Sequence, residues 1–184
     1  MRKLLLIFGC CLLFLTTAQA QKVGVKTNLA GWAAYGTINA GVEPALTPYL
    51  TFAVDGYYNP YTPGDAGKST KMWGVQPEIR YWLKTKFSGA YLGINSLYSS
   101  YDWGVNKYRY DGWMTGVGVG VGYSLPFAER WRAGVGIGAG WLHRDYSKSG
   151  LPQYTDTNIT YYDGAVRNTF SITKAEISIQ FIIR

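Results

Sequence analysis

Between residues 113 and 141 the chain alternates, almost without a break, between an apolar side chain and glycine. Trp113, Thr115, Val117, Val119, Val121 and Tyr123 are interleaved with Gly116, Gly118, Gly120 and Gly122. After a turn over Leu125 to Glu129, Trp131, Ala133, Val135, Ile137, Ala139 and Trp141 are interleaved with Arg132, Gly134, Gly136, Gly138 and Gly140. A period of two is that of a β-strand, whose side chains point alternately to opposite faces. Two neighbouring strands therefore have one β-branched, aromatic face and one nearly bare face. A soluble sandwich would have to bury one of these faces against a second sheet. Apolar burial contributes about 25 cal/mol per Å², so a core face of glycine supplies little. An outer-membrane barrel instead turns the apolar face to lipid and encloses the other.

The rest of the chain repeats the pattern. Trp73 to Trp82 reads W-G-V-Q-P-E-I-R-Y-W, with Trp73, Val75, Pro77, Ile79 and Tyr81 on one side and Gln76, Glu78 and Arg80 on the other. Further strands are expected over about Val23–Ala33, Thr37–Leu46, Tyr49–Tyr58, Ala90–Ser100 and Lys174 to the end, giving eight with the stretches already described. Strand lengths near ten residues suit a tilted transmembrane strand. The connections after strands two, four and six are short, at Thr47-Pro48, Thr85 to Ser88 and Leu125 to Glu129. Those after three, five and seven are long, over about Asn59–Ser69, Tyr101–Arg109 and Asp145–Asn168. Short periplasmic turns alternating with long outer loops are the habit of bacterial barrels. The fold class expected is all-β, an eight-stranded antiparallel transmembrane β-barrel.

The N-terminus agrees with that address. Arg2 and Lys3 precede an apolar run from Leu4 to Leu15, and Ala18-Gln19-Ala20 fits a cleavage site, so residues 1–20 read as a signal peptide and 21–184 as the barrel domain. Cys10 and Cys11 both lie in the leader, which leaves the mature chain without a disulfide or thiolate metal site. A lipoprotein site at Gly9-Cys10 is disfavoured because the apolar run continues past it. Subtracting Arg2 and Lys3 from the eighteen basic residues leaves sixteen against eleven acidic ones, a net +5. These charges are scattered, with no basic run, and exclude nucleic acid as the expected partner.

If the apolar faces meet lipid, parity sends Lys26, Arg80, Arg132 and Lys174 inward together with Glu43, Asp55, Glu78 and Glu176, four charges of each sign, and Gln76 beside them. An eight-stranded barrel is just wide enough to be filled by side chains, so these charges are expected to pair in a closed polar lumen rather than line an ion path. The bare glycine faces leave room for long side chains such as Arg80 or Trp82 reaching across. The pairs Trp73/Trp82, Trp113/Tyr123 and Trp131/Trp141 bracket their strands and read as interfacial aromatic girdles.

Little chemistry is legible. The single histidine, His143, lies beside Arg144, Asp145 and Ser147, which gives a catalytic candidate of the base, acid and nucleophile kind with arbitrary spacing and no oxyanion hole. No metal site and no cofactor is expected. The G-x-G matches lie within strands with no helix after them and do not read as a nucleotide fingerprint. Asn158-Ile159-Thr160 matches a glycosylation acceptor, a match that carries no information in a bacterial outer membrane. The long loops are rich in aromatics; Tyr101, Trp103, Tyr108, Tyr110, Tyr161 and Tyr162 are the binding candidates, suited to a sugar or a protein surface.

The runs V-K-T-N-L at Val25–Leu29, G-V-E at Gly41–Glu43, Y-N-P at Tyr58–Pro60 and above all Q-P-E-I-R-Y-W at Gln76–Trp82 resemble a Bacteroidetes family of outer-membrane β-barrel proteins of the DUF3575 type, whose members have unknown function. The resemblance runs from about Val23 to the last strand and implies an OmpX/OmpA-like barrel, with a loose link to fimbrial or cell-surface systems. It carries over no catalytic residue. The chain ends Phe181-Ile182-Ile183-Arg184, whereas many such barrels end on an aromatic residue. The function expected is thus a structural, interaction or surface-accessory role in the outer membrane. Its partners would be outer-membrane lipid and, through the loops, a surface protein or glycan, with a monomer as the expected state. Two alternatives stand beside it: a lipid-modifying enzyme of the lipid A deacylase type centred on His143, and a secreted soluble β-sandwich binding protein.

Overall fold

The structure is a computed structural model that describes residues 22–33, 36–62, 69–104, 108–150 and 160–183, with side chains in the last segment from 164 onward. The expected signal peptide, Asn158 and Ile159 of the glycosylation motif and the side chains of Thr160, Tyr161 and Tyr162 lie outside the described residues. The elements are β1 (Val23–Asn28), α1 (Leu29–Ala33), β2 (Ile38–Pro44), β3 (Leu50–Asn59), β4 (Ser69–Trp82), β5 (Gly89–Gly104), β6 (Tyr108–Pro126), β7 (Trp131–Gly150) and β8 (Thr160–Ile183). Each strand pairs antiparallel with the next, and β1 pairs with β8 from Val23↔Ile183 to Asn28↔Ser178, so a single sheet closes on itself. The all-β, eight-stranded antiparallel expectation holds, and two packed sheets are not what these strands form.

The closed sheet has its polarity inside out. Lys26, Glu43, Asp55, Gln76, Glu78, Arg80, Lys174 and Glu176 are buried, while Val42, Ile79, Leu92, Ile94, Val119, Ile137 and Ile172 are exposed. The small apolar cluster of Ala45, Trp82, Phe87, Tyr91 and Ile182 sits at the end where β4 and β5 turn back on each other. No helix among the described residues is long and apolar enough to cross a membrane.

Several expectations need correction. The first strand stops at Asn28 rather than Ala33, because Asn28 caps α1: its Oδ1 accepts from Ala30 N at 3.1 Å and from Ile177 N at 3.1 Å. The loops expected over 101–109 and 145–168 are mostly strand: β5 runs to Gly104, β6 starts at Tyr108, β7 runs to Gly150 and β8 starts at Thr160. Tyr101, Trp103, Tyr108 and Tyr110 therefore stand on strands, not loops. Alternation persists there, but polar and aromatic residues occupy both faces, which hides the period in the sequence while suiting a strand. From Trp141 to Gly150 the wall rises by about 30 Å along the strand at ~3.3 Å per residue, while β1 and β2 have already ended. Trp82 faces inward and is fully buried, so it is no partner of Trp73 in a girdle; nine positions apart on one strand, the two rings necessarily lie on opposite faces.

One irregularity matters for the interior. In the pairing of β7 with β8, Gly138 faces Lys174 but Ala139 faces Ile172, so Thr173 is the extra residue of a β-bulge. A register slip of this kind is expected where glycine weakens the specification of a strand, and the bulge lies opposite the glycine run.

Candidate functional site

The lower interior is an ion network built around Arg80. Its Nε donates to Glu78 Oε2 at 2.7 Å, Nη1 to Glu43 Oε2 at 3.0 Å and Nη2 to Glu176 Oε2 at 2.7 Å. Lys174 Nζ donates to both Glu78 oxygens, at 2.9 and 2.7 Å, lies 2.7 Å from Glu176 Oε2 and reaches the Tyr91 hydroxyl at 3.0 Å. Lys26 Nζ lies 2.9 Å from Asp55 Oδ2 and 3.4 Å from Glu176 Oε1. Neutral groups complete the carboxylates: Thr51 Oγ1 donates to Glu43 at 2.6 Å, Gln180 Nε2 to Glu43 at 2.9 Å and Ser178 Oγ to Glu176 at 2.8 Å. Planar, multidentate guanidinium recognition is the reason an arginine holds the centre. The network joins β1, β2, β3, β4 and β8 across the lumen.

Arg132, the fourth expected cation, is not part of it. Its Nε donates to Phe87 O at 3.2 Å and its Nη1 to Ala128 O and Trp131 O at 3.0 Å each, so it ties the turns together at the rim. Arg132 is the second residue of β7, at the foot of the strand, and inward parity alone does not carry its guanidinium up to the carboxylates. The interior set is therefore three cations against four carboxylates.

Below the network the lumen is sealed by rings. Trp82 packs on Tyr91 at 4.9 Å and on Phe87 at 6.2 Å, its Nε1 donates to Thr51 Oγ1 at 2.9 Å, and Arg80 lies over the Tyr91 ring at 4.7 Å. A Cβ at Gly122 or Gly136 would overlap the Tyr91 phenol. The bare faces thus accommodate Tyr91, with Arg80 and Trp82 stacked on it, rather than Arg80 or Trp82 directly. Phe87 adopts φ 63°, unusual for a residue with a side chain, and is buried in this seal.

Above the network the Tyr57 hydroxyl donates to Gln76 Oε1 at 2.8 Å, and Gln76 Nε2 donates to the bulge carbonyl Thr173 O at 2.7 Å. Over this floor the lumen opens into two cavities of about 430 and 510 Å³ that share Met72, Met114 and Arg144. The outer one is lined by Tyr101, Trp103, Tyr110, Tyr146 and Arg167 besides those three. Four residues of the predicted loop set are brought near one another in this way. Tyr101, Trp103 and Tyr110 line the cavity, and Tyr108 carries Lys148 Nζ over its ring at 3.8 Å. On the outer face of the same wall Arg109 Nε and Nη2 grip Asp102 at 2.6 and 2.5 Å. Burial alone would raise the Asp102 carboxyl, but the Arg109 guanidinium overrides it and holds the carboxyl below its ordinary value.

Sequence reasoning did not single out Tyr91, Arg144, Tyr146 or Arg167. Inward parity was a usable signal for Tyr91, whereas Arg167 is turned inward only by the bulge.

His143 belongs to the outer surface. Its Nδ1 is 2.9 Å from Asn168 Oδ1, and its ring lies 5.4 Å from Trp113 and 5.8 Å from Trp141. With Trp73–Tyr98 at 5.6 Å and Tyr98–Trp113 at 6.2 Å, these rings form a continuous belt around one side. The partner of Nδ1 is an amide oxygen rather than a carboxylate, so no acid orients the imidazole as a base. Among the described residues no group of three or more His, Cys, Asp or Glu is placed to hold a metal ion.

Comparisons with curated proteins and with solved structures find no match to this chain. A family model described as "Protein of unknown function (DUF3575)" matches residues 6–183, nearly the whole length, and the chain belongs to that family.

Proposed function

We propose that the protein is a small outer-membrane β-barrel with a sealed lumen, acting at the bacterial cell surface through the tall wall of β5–β8 and the mouth it flanks. The observation that carries this reading is the inside-out polarity of the closed sheet between two rings of aromatics. Trp73, Tyr98, Trp113 and Trp141 mark one level and Tyr49, Tyr81, Tyr123 and Trp131 the other, all on the outer face. Trp113 to Tyr123 and Trp131 to Trp141 each span ten residues. At ~3.3 Å per residue and a tilt of ~40° the two levels stand about 25 Å apart, the height of an outer-membrane apolar band. Such a continuous exposed apolar surface far exceeds the few hundred Å² usual on a soluble monomer. The short turns would then face the periplasm, residues 1–20 would serve as the export signal, and lipid would be the first partner.

The test is heat-modifiable migration of the protein extracted from separated membranes. We expect a fast-migrating unboiled form confined to the outer membrane and no stable conductance in a planar bilayer. Val119→Arg, at the middle of the outer face, should destabilise the barrel by about 2–4 kcal/mol in lipid. A soluble, non-shifting protein indifferent to that substitution would overturn the reading.

A further inference from the structure

We propose that the mouth cavity binds an amphipathic organic anion, an acid group taken by Arg144 and Arg167 with an aromatic or aliphatic body held among the tyrosines and Trp103. Arg144 and Arg167 are direct cross-strand partners in the β7–β8 register, and both line the same cavity of about 510 Å³. Like charges placed opposite each other on one sheet face repel, and a bound anion turns that repulsion into a bidentate clamp. The Nε of Arg144 is buried and has no hydrogen-bond partner. Buried donors are almost always satisfied, so an unused one on a side chain that lines the cavity marks a place for an acceptor.

Charge on the wall is segregated by face. Lys148 stands on the inner side over Tyr108 and Tyr110, at 3.8 and 5.8 Å. Asp102, Asp111 and Asp145 lie on the opposite parity, and among the described residues no carboxylate lines the cavity. The cavity volume is that of a small-molecule site. The methionines it shares with the cavity beneath, Met72 and Met114, are adaptable side chains that accept varied apolar shapes. This proposal goes beyond the outer-membrane reading and rests on it only for the lipid in which the protein is held.

The experiment is calorimetric titration of the folded protein in phosphatidylcholine nanodiscs with 2-naphthalenesulfonate and with its uncharged counterpart 2-naphthalenesulfonamide. We expect saturable binding of the sulfonate at one site and binding of the sulfonamide weaker by at least about tenfold, the worth of one or two charge-assisted hydrogen bonds. Arg144→Gln and Arg167→Gln should each weaken the sulfonate to a similar degree. Lys84→Gln, the same change of charge at the far end of the barrel, should leave it unaltered, and Arg144→Lys should keep part of the affinity. Retained heat-modifiable migration certifies the fold of each variant, and the comparison of the two ligands on the wild-type chain needs no variant at all. Equal binding of the two ligands, affinity indifferent to both arginine changes, or no saturable binding would overturn the proposal. Replacing part of the lipid with anionic phosphatidylglycerol separates the sources of the natural ligand. Displacement of the probe supports the site and assigns it to a lipid headgroup, and undiminished binding supports it and assigns it to a soluble anion.

Discussion

Replacing Arg80 with methionine removes the one side chain that touches three interior carboxylates while leaving a similar volume. None of the three is abandoned: Glu43 keeps Thr51 and Gln180, Glu78 keeps Lys174, and Glu176 keeps Lys174, Lys26 and Ser178. The balance nonetheless moves from three cations against four carboxylates to two against four, in a space closed below by Trp82, Phe87 and Tyr91. Breaking a buried ion pair in this way costs about 3–5 kcal/mol, most of it the penalty of charge left under-compensated. The surviving partners keep the cost near that of one pair rather than three. At ~2–4 °C per kcal/mol for a domain of this size, the midpoint of the unboiled-to-boiled band shift should fall by roughly 6–20 °C. Arg80→Lys keeps the charge but not the three-way fork and should fall in between. Adding Glu43→Gln to Arg80→Met removes one excess carboxylate, and the double variant should regain about 1 kcal/mol or more through coupling of adjacent sites. If Arg80→Met lies within about 1 kcal/mol of the wild type in urea unfolding from lipid, the network is solvated and the sealed interior is wrong.

Phe87 separates packing from backbone strain. Phe87→Ala should cost about 3–5 kcal/mol by opening the seal, while Phe87→Gly should cost roughly 1 kcal/mol less because glycine accepts the positive φ; equal losses in thermal unfolding would refute the strain. The Asp102–Arg109 pair predicts a pH effect of definite sign. A carboxyl held below its unfolded value contributes stability above that value and loses it as pH falls through the folded one. The stability difference between the wild type and Asp102→Asn should therefore be constant from neutral pH down to about 5 and vanish toward pH 3. It should not exceed about 1 kcal/mol, since Arg109 is well exposed. A difference that grows on acidification would contradict the assignment.

The lower part of the barrel is legible in the sequence because one periodicity governs it. Counting in twos sends Lys26, Glu43, Gln76, Glu78, Arg80 and Glu176 inward, and all six are buried. Counting failed where a side chain had to be located along the strand as well as across it. Arg132 has the right parity but stands too near the turn to join the network, and Trp82 was paired with Trp73 on composition although their spacing is odd. The upper wall looks like loop in the sequence because Asp102, Arg109, Asp111 and Asp145 interrupt the apolar face that signals a strand. Those residues share the outer face of a projecting sheet whose inner face lines the mouth cavity, so no apolar core demands alternation there.

The mouth escaped a reading in twos for a single physical reason, the bulge at Thr173. Inward parity continued from Lys174 would send Ile172 and Phe170 into the lumen and Ser171, Thr169 and Arg167 out. The extra residue reverses this, leaving Phe170 at 80% exposure on the outer face and Arg167 on the cavity wall. Gln76 holds the bulge by donating to Thr173 O from the opposite side of the barrel, so a residue of the lower floor sets which face the upper strand presents. Deleting Thr173 should remove the bulge without turning the strand over: Ile172 then follows Lys174 directly and still faces Ala139, so Phe170 stays outside and Arg167 stays on the cavity wall. The barrel below would keep its Lys174, Glu176 and Gln180 contacts, and both the heat-modifiable shift and sulfonate binding at the mouth should survive. Gln76→Leu, which removes the anchor but keeps the residue count, lets the bulge flatten and send Ile172 and Phe170 inward and Arg167 out, and should therefore weaken binding more than the deletion does. A Thr173 deletion that folds but no longer binds the sulfonate would mean that the register above Lys174 is not what places Arg167 in the cavity.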